Sequence, residues 1–153
     1  MKIFEGSISQ LVPHRGLMLL IDRLLFHNEE TVRTEAMVTR DRLFLEALGW
    51  PAWVGLELMA QTVAAWGGLR QWAAEEPVKL GFLLGSRRYE STVSHFAVGA
   101  KLEIEARQEL VSESGLAVFE CSIHQDGARV ASAHLNVFQP PDVEAYLRES
   151  THV

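Results

Sequence analysis

The segment from about Trp53 to Ala74, WVGLELMAQTVAAWGGLRQWAA, constrains the fold more than any other part of the chain. Its apolar residues run nearly all round at helical spacing, and a helix of that kind has to be enclosed by other structure. At 1.5 Å per residue it spans roughly 30 Å. Gly67 and Gly68 weaken it locally or let a neighbour approach closely. Glu57 and Gln61 interrupt the apolar surface, and Pro51 and Trp53 mark its start. These features fit a buried helix rather than a membrane span.

The rest of the chain must supply the enclosure. Its 153 residues suffice for a single domain, 1–153, with a real core. Ser7 can cap a short helix that stops before Pro13. Leu17 to Phe26 is strongly apolar and reads as a buried strand with room for a bend. HNEE turns the chain, and Thr31 to Thr39 alternates, with Val32, Thr34, Ala36 and Val38 facing one way. Residues 40–50 read as irregular or weakly helical.

After Pro77 the pattern becomes strands. Lys79 to Tyr89 is one. In Ala100 to Leu110, the apolar Leu102, Ile104 and Ala106 alternate with Lys101, Glu103, Glu105 and Arg107, as in an antiparallel strand with one wet face. Leu116 to His124 puts Ala117, Phe119, Cys121 and Ile123 on one face. QDG is a hairpin signal leading into Val130 to Phe138. Pro140 and Pro141 stop that strand, and Asp142 to Glu149 reads as a short helix. The layout is α+β: a hairpin, one long helix, then a meander of strands bent strongly enough to wrap the helix.

Charge and cysteine usage narrow the function classes. A formal net charge of −6 argues against nucleic acid as the main partner. Cys121 is the only cysteine, so no internal disulfide can form. MKIFEGSISQ has no apolar run of signal-peptide kind, so the cytoplasm is the expected location. No histidine pair has metal-ligand spacing with an acid, and no metal is expected.

Three stretches carry a family resemblance. LVPHRGLMLLIDRLL (residues 11–25), PAWVGLELMAQ (51–61) and DGARVASAHLNVF (126–138) together resemble the hotdog-fold 3-hydroxyacyl-(acyl carrier protein) dehydratases of fatty acid synthesis. More narrowly, the chain is similar to the dehydratase-like subunits of aryl polyene and related polyketide-type pathways. The resemblance implies a hotdog fold, with a curved sheet around the central helix, and a dimer whose interface holds the substrate tunnel. It further implies an acyl substrate carried on the phosphopantetheine of an acyl carrier protein, with no resident cofactor. The chemistry would use a helix carboxylate from one subunit and a histidine from the other.

Matched onto that pattern, Glu57 stands where the family has its carboxylate, and Gln61 where it has a glutamine one turn later. Ala52 holds the place of the glycine whose backbone N–H binds the thioester carbonyl. The Gly-His-Phe-Pro stretch that carries the family's histidine corresponds here to RDRLFLEALGW, residues 40–50, which has no histidine. SHFA at 94–97 looks similar but follows the helix, on a different element.

Glu57 and Gln61, four apart, share one helix face. Dehydration needs a base for the C2 proton and an acid for the leaving hydroxyl, and a carboxylate drawn into an apolar tunnel has its pKa raised, which suits the second task. A structural glutamate, paired to a buried arginine or placed for the helix dipole, is the alternative. His14, in PHRG, reads as a turn histidine bonded to backbone and is counted among the substrate-binding candidates. Arg15 and Asp22 are candidates for an ion pair. Trp50, Trp53 and Trp66 read as core or interface anchors, with Trp53 also able to narrow a tunnel beside Glu57. Lys79, Arg87 and Arg88 could form a basic patch for an acidic carrier protein. The functional expectations are a dehydratase subunit, a thioesterase of the same fold, or a non-catalytic partner of a heterodimeric dehydratase; the dimer is homo- or heteromeric.

Overall fold

The enclosed helix is α1, Val54–Ala73, in the computed structural model, which describes residues 3–76, 82–138 and Arg148. Val54, Leu58, Met59, Val63, Ala65 and Leu69 are buried on it. A six-stranded antiparallel sheet wraps this helix. Its strands are β1 (Arg23–His27), β2 (Thr31–Met37), β4 (Phe82–Ser91), β6 (Lys101–Val111), β7 (Leu116–Gln125) and β8 (Ala128–Phe138), in the spatial order β1-β2-β6-β7-β8-β4. Two short strands, β3 (Trp50–Pro51) and β5 (His95–Phe96), pair separately. The helix lies across β2, β6, β7 and β8, the middle of the sheet.

Strand alternation decides which face the helix sees. Leu102, Ile104 and Ala106 of β6, Phe119, Cys121 and Ile123 of β7, and Ala131, Ala133 and Leu135 of β8 are buried beneath α1, while Lys101, Glu103 and Arg107 are exposed. The β7–β8 turn is Asp126-Gly127, both at positive φ (54° and 79°), the backbone that a two-residue hairpin of matching twist requires. One helix glycine has a steric reason: a Cβ on Gly68 would lie 1.9 Å from the Leu11 carbonyl oxygen, so the N-terminal segment crosses α1 there.

The N-terminal segment departs from expectation. Ser7 does precede a helical turn, a 3₁₀ turn at Ile8–Gln10, and its N–H donates to Gln10 Oε1. Leu17 to Phe26, however, is not one buried strand. It is a 3₁₀ turn at Gly16–Met18, an extended link, then β1 with a register shift between Leu24 and Phe26. Leu20 and Ile21 are buried, but Leu17, Met18, Leu25 and Phe26 are exposed. A short apolar run carries no period of its own, and Gly16, at φ 59°, turns the chain just before it.

The expected charge pairing also differs. Asp22 bonds Arg42 (2.5 Å), while Arg15 turns back to the Val12 and His14 carbonyls. Glu35 alternates toward the outer face of β2, yet it is buried beneath Arg23 and Lys101. The helix expected over Asp142 to Glu149 lies, Arg148 apart, outside the described residues, as does Lys79.

Candidate active site

The chain enters α1 through a braced turn. Trp50 is fully buried and donates its indole N–H to the Leu43 carbonyl (2.9 Å). Pro51 faces His95 in the β3–β5 ladder. The Ala52 N–H donates to the Ser94 carbonyl (2.9 Å). The Ala52 carbonyl in turn accepts from the Gly55 N–H and from the Tyr89 hydroxyl. A Cβ on Gly55 would sit 2.3 Å from the Tyr89 oxygen, so the glycine leaves the phenol room to reach the turn. Burial pushes the Tyr89 phenol up to about 12, so it remains a donor throughout the physiological range.

The bond to Ser94 corrects the expectation for Ala52. Its N–H is already spent inside the turn, so it is not a donor for a substrate carbonyl. Among the described residues, the Trp53 and Val54 N–H groups at the helix start have no protein acceptor, as the first turn of any helix requires. The Ser94 carbonyl is brought to Ala52 by the β3–β5 pairing, which joins Pro51 to a segment some forty residues later in the chain.

Glu57 lies in the first turn of α1 with its side chain 34% exposed. Gln61 Nε2 donates to Glu57 Oε1 (3.1 Å). Gln61 itself is fully buried. Its Oε1 accepts from the Leu20 N–H (2.9 Å), and its Nε2 also donates to the Met18 carbonyl (2.7 Å). Expected as a substrate contact, Gln61 is instead a bracket. It ties the exposed apolar corner at Leu17 and Met18 to the helix and aims a donor at Glu57.

The same folding-back brings His14 to Glu57. Its Nε2 stands 3.7 Å from Glu57 Oε1, while its Nδ1 is buried with no partner among the described residues. The turn histidine bonded to backbone is therefore not what forms. Burial pushes the His14 imidazole down from its ordinary value, with Arg15 adding to that and Glu57 opposing it, so the ring is neutral at pH 7. Sequence reasoning named both residues but did not join them. Forty-three positions separate them, and the only signal was a turn motif, PHRG, upstream of an apolar run.

The other named residues are dispersed. Trp53 is 53% exposed and meets Phe44 edge-on, with ring centroids 5.1 Å apart. His95 is brought beside Pro51 by the β3–β5 ladder, but both its nitrogens are engaged, Nε2 with Glu46 (2.8 Å) and Nδ1 with Ser94 Oγ (3.1 Å). Arg87 and Arg88 are exposed on β4, with Arg88 at φ 58° in an irregularity between Arg87 and Glu90. Their neighbour Tyr89 reaches the turn before α1. Glu109, Glu120 and His134 present ligand atoms within 4.8 Å of one another, where Arg107 already bonds Glu120 (2.8 Å).

One antiparallel sheet wrapped on one long helix is the hotdog architecture. A family model described as ApeP-like, ApeP dehydratase, matches residues 6–148, and the chain belongs to that family. The dehydratase heterocomplex ApeI:P from Xenorhabdus doucetiae has a chain 27% identical to this one; the match covers 94% of this chain and 97% of that one at a TM-score of 0.86. More remote likenesses share the fold alone. They include a hypothetical thioesterase with coenzyme A from Streptococcus pneumoniae (13% identity, 76% of this chain and 84% of that one, TM-score 0.58). The PaaI protein of E. coli is another (12%, 75% and 80%, TM-score 0.58). Among curated proteins, none matches the chain. Among the described residues no helix is long and apolar enough to cross a membrane.

Proposed function

We propose that this chain is a dehydratase subunit for 3-hydroxyacyl thioesters carried on the phosphopantetheine arm of an acyl carrier protein, and that Glu57 is its proton-transferring group. The observation that carries the reading is Glu57 itself. It is a half-exposed carboxylate at the start of an otherwise enclosed helix, held on one oxygen by a buried glutamine. In the reaction a base takes the C2 proton and the C2–H electrons form the C2=C3 bond. The C3–O bond breaks, and the hydroxyl takes a proton from Glu57 and leaves as water. The thioester carbonyl would meet the N–H groups of Trp53 and Val54, where the helix dipole favours the charge that builds on oxygen. The carrier brings its own prosthetic arm, so the chain needs no resident cofactor, and the pair would act in the cytoplasm.

The base is assigned to a related hotdog subunit. Residues 40–50 contain no histidine, and the similar structure from Xenorhabdus is a heterocomplex. Leu17, Met18, Phe44, Leu48 and Trp53 are exposed on the segments that flank Glu57, which is the apolar surface a partner would cover to close a tunnel. Among the described residues, edge strands β1 and β4 have no further partner strand. Exposed Arg87 and Arg88 lie on the strand that braces the helix start, where they would steer an acidic carrier.

The test is to incubate the protein, alone and with a co-expressed histidine-bearing hotdog subunit, with a 3-hydroxyacyl carrier substrate. Enoyl product is expected from the pair, with the lone chain slower by about 10²–10⁴-fold, the usual cost of losing a general base. Glu57→Gln should abolish the pair's activity and leave folding intact. An active pair indifferent to Glu57→Gln would make this chain a non-catalytic partner, and release of free acid would make it a thioesterase.

A further inference from the structure

We propose that His14 is a positioning residue for Glu57, closing with Gln61 a two-donor clamp on Oε1 that leaves Oε2 as the oxygen that gives up the proton. The inference rests on the reading of Glu57 as the proton-transferring group. It begins from an unusual polar atom. His14 Nδ1 is buried and has no partner among the described residues. An orphaned buried N–H is rarer and costlier than an acceptor lacking its donor. The tautomer that avoids it carries the ring proton on Nε2, and Nε2 is the atom that faces Glu57 Oε1 at 3.7 Å.

That distance is just beyond a hydrogen bond, and a small rotation of either side chain closes it. Such contacts are often long in a free enzyme and tighten when substrate binds. Oε1 already accepts from Gln61 Nε2. With a second N–H aimed at the same atom, a proton on Oε1 would collide with both donors. The carboxyl proton is therefore confined to Oε2, which makes no hydrogen bond or ion pair with any described residue. Two further observations make this a built arrangement. Gln61 is locked by Leu20 and Met18, so its Nε2 cannot swing away. Arg15, next to His14, is turned back onto the Val12 and His14 carbonyls, so its guanidinium is held off the carboxylate that it would otherwise neutralise. The groups that bear on the His14 ring are Glu57, which favours its protonation, and Arg15, which opposes it together with burial.

The same tautomer argues against His14 as the missing base. Nε2 carries the proton and has no lone pair to offer, and Nδ1 is buried away from any substrate. His14 acts through Glu57 and leaves the C2 proton to another group.

The first arm of the test needs no activity. In a ¹⁵N-labelled protein, the His14 ring should show the Nε2–H tautomer at pH 7.5, and Glu57→Gln should lower the pH at which His14 titrates. An Nδ1–H tautomer, or a titration unmoved by Glu57→Gln, would overturn the proposal. The second arm uses the active pair. His14→Leu should cost at least about tenfold in kcat, the order of a hydrogen bond to a charged group, with KM little changed. His14→Gln, which keeps an N–H near the Nε2 position, should restore most of it. Equal loss in both variants would show that His14 itself moves the proton, and no loss in either would show that the clamp is idle; each result refutes the positioning role. If the wild-type pair makes no enoyl product, the dehydratase reading fails, while the first arm still decides the clamp.

Discussion

Gln61 ties the fold to the site, so replacing it tests both. Gln61→Leu keeps the volume and removes three hydrogen bonds, to the Leu20 N–H, the Met18 carbonyl and Glu57 Oε1. Leu20 is fully buried, so its N–H loses its partner with no water to replace it, at about 1–3 kcal/mol. Met18 is 46% exposed, and its carbonyl can rehydrate at about 1 kcal/mol or less. The added leucine carbons return part of this by apolar burial. The net loss is about 1–3 kcal/mol, which for a chain of this size lowers Tm by roughly 3–10 °C.

The check is thermal unfolding by circular dichroism at one fixed protein concentration, since an oligomer's Tm depends on it. Gln61→Glu sharpens the test. The introduced carboxylate can accept from Leu20 but has nothing to donate to Met18, and it stands against Glu57. Its pKa must be higher in the folded than in the unfolded chain. Between those two values the unfolded chain is ionised and the folded one is not, so stability falls as pH rises. The Tm deficit of Gln61→Glu should therefore be larger at pH 8 than at pH 5. A Gln61→Leu protein within 1 °C of wild type, or a Gln61→Glu deficit that shrinks as pH rises, would refute the bracket.

Three other outcomes follow from the packing. Gly68→Ala puts a Cβ against the Leu11 carbonyl, backbone that cannot swing aside, and should destabilise by more than the helix-propensity gain of about 1 kcal/mol; a rise in Tm would contradict the crossing. Tyr89→Phe should cost about 1 kcal/mol by removing the donor to the Ala52 carbonyl, read as a lower denaturant midpoint with unchanged m-value. Acid should destabilise the protein in two steps. His14 is held below its ordinary value, so the unfolded chain binds a proton first as pH falls through about 6.5, and folding free energy declines from there. Burial pushes the Glu35 carboxyl up, but Arg23 and Lys101 outweigh it and hold it low, so its contribution is present above the unfolded value near 4.5 and is lost as pH falls through the folded one. His14→Leu should remove the first step and leave the second; a pH–stability curve with the first step intact would assign it elsewhere.

The sequence by itself determined the architecture. A helix apolar on every side leaves no choice but enclosure, and period-two strands such as β6, with Leu102, Ile104 and Ala106 in and lysine, glutamate and arginine out, show which face does the enclosing. The hairpin at Asp126-Gly127 was equally legible, because turn backbone is a local matter. Glu57 and Gln61 were paired by spacing alone, since residues four apart on a helix share a face.

Only the tertiary structure decided what those residues meet. Leu17 to Phe26 looked buried because hydrophobicity reports preference and not position, and half of its large side chains are exposed. The Ala52 N–H was lost to Ser94 through a β3–β5 pairing between distant segments. Asp22 found Arg42 rather than Arg15, and Glu57 found His14 across forty-three residues. Helix periods and turn propensities arise from neighbours a few bonds apart, so they are written locally. A contact between side chains far apart in the chain depends on where a glycine such as Gly68 lets one segment cross another, and that exists only once the sheet has closed around the helix.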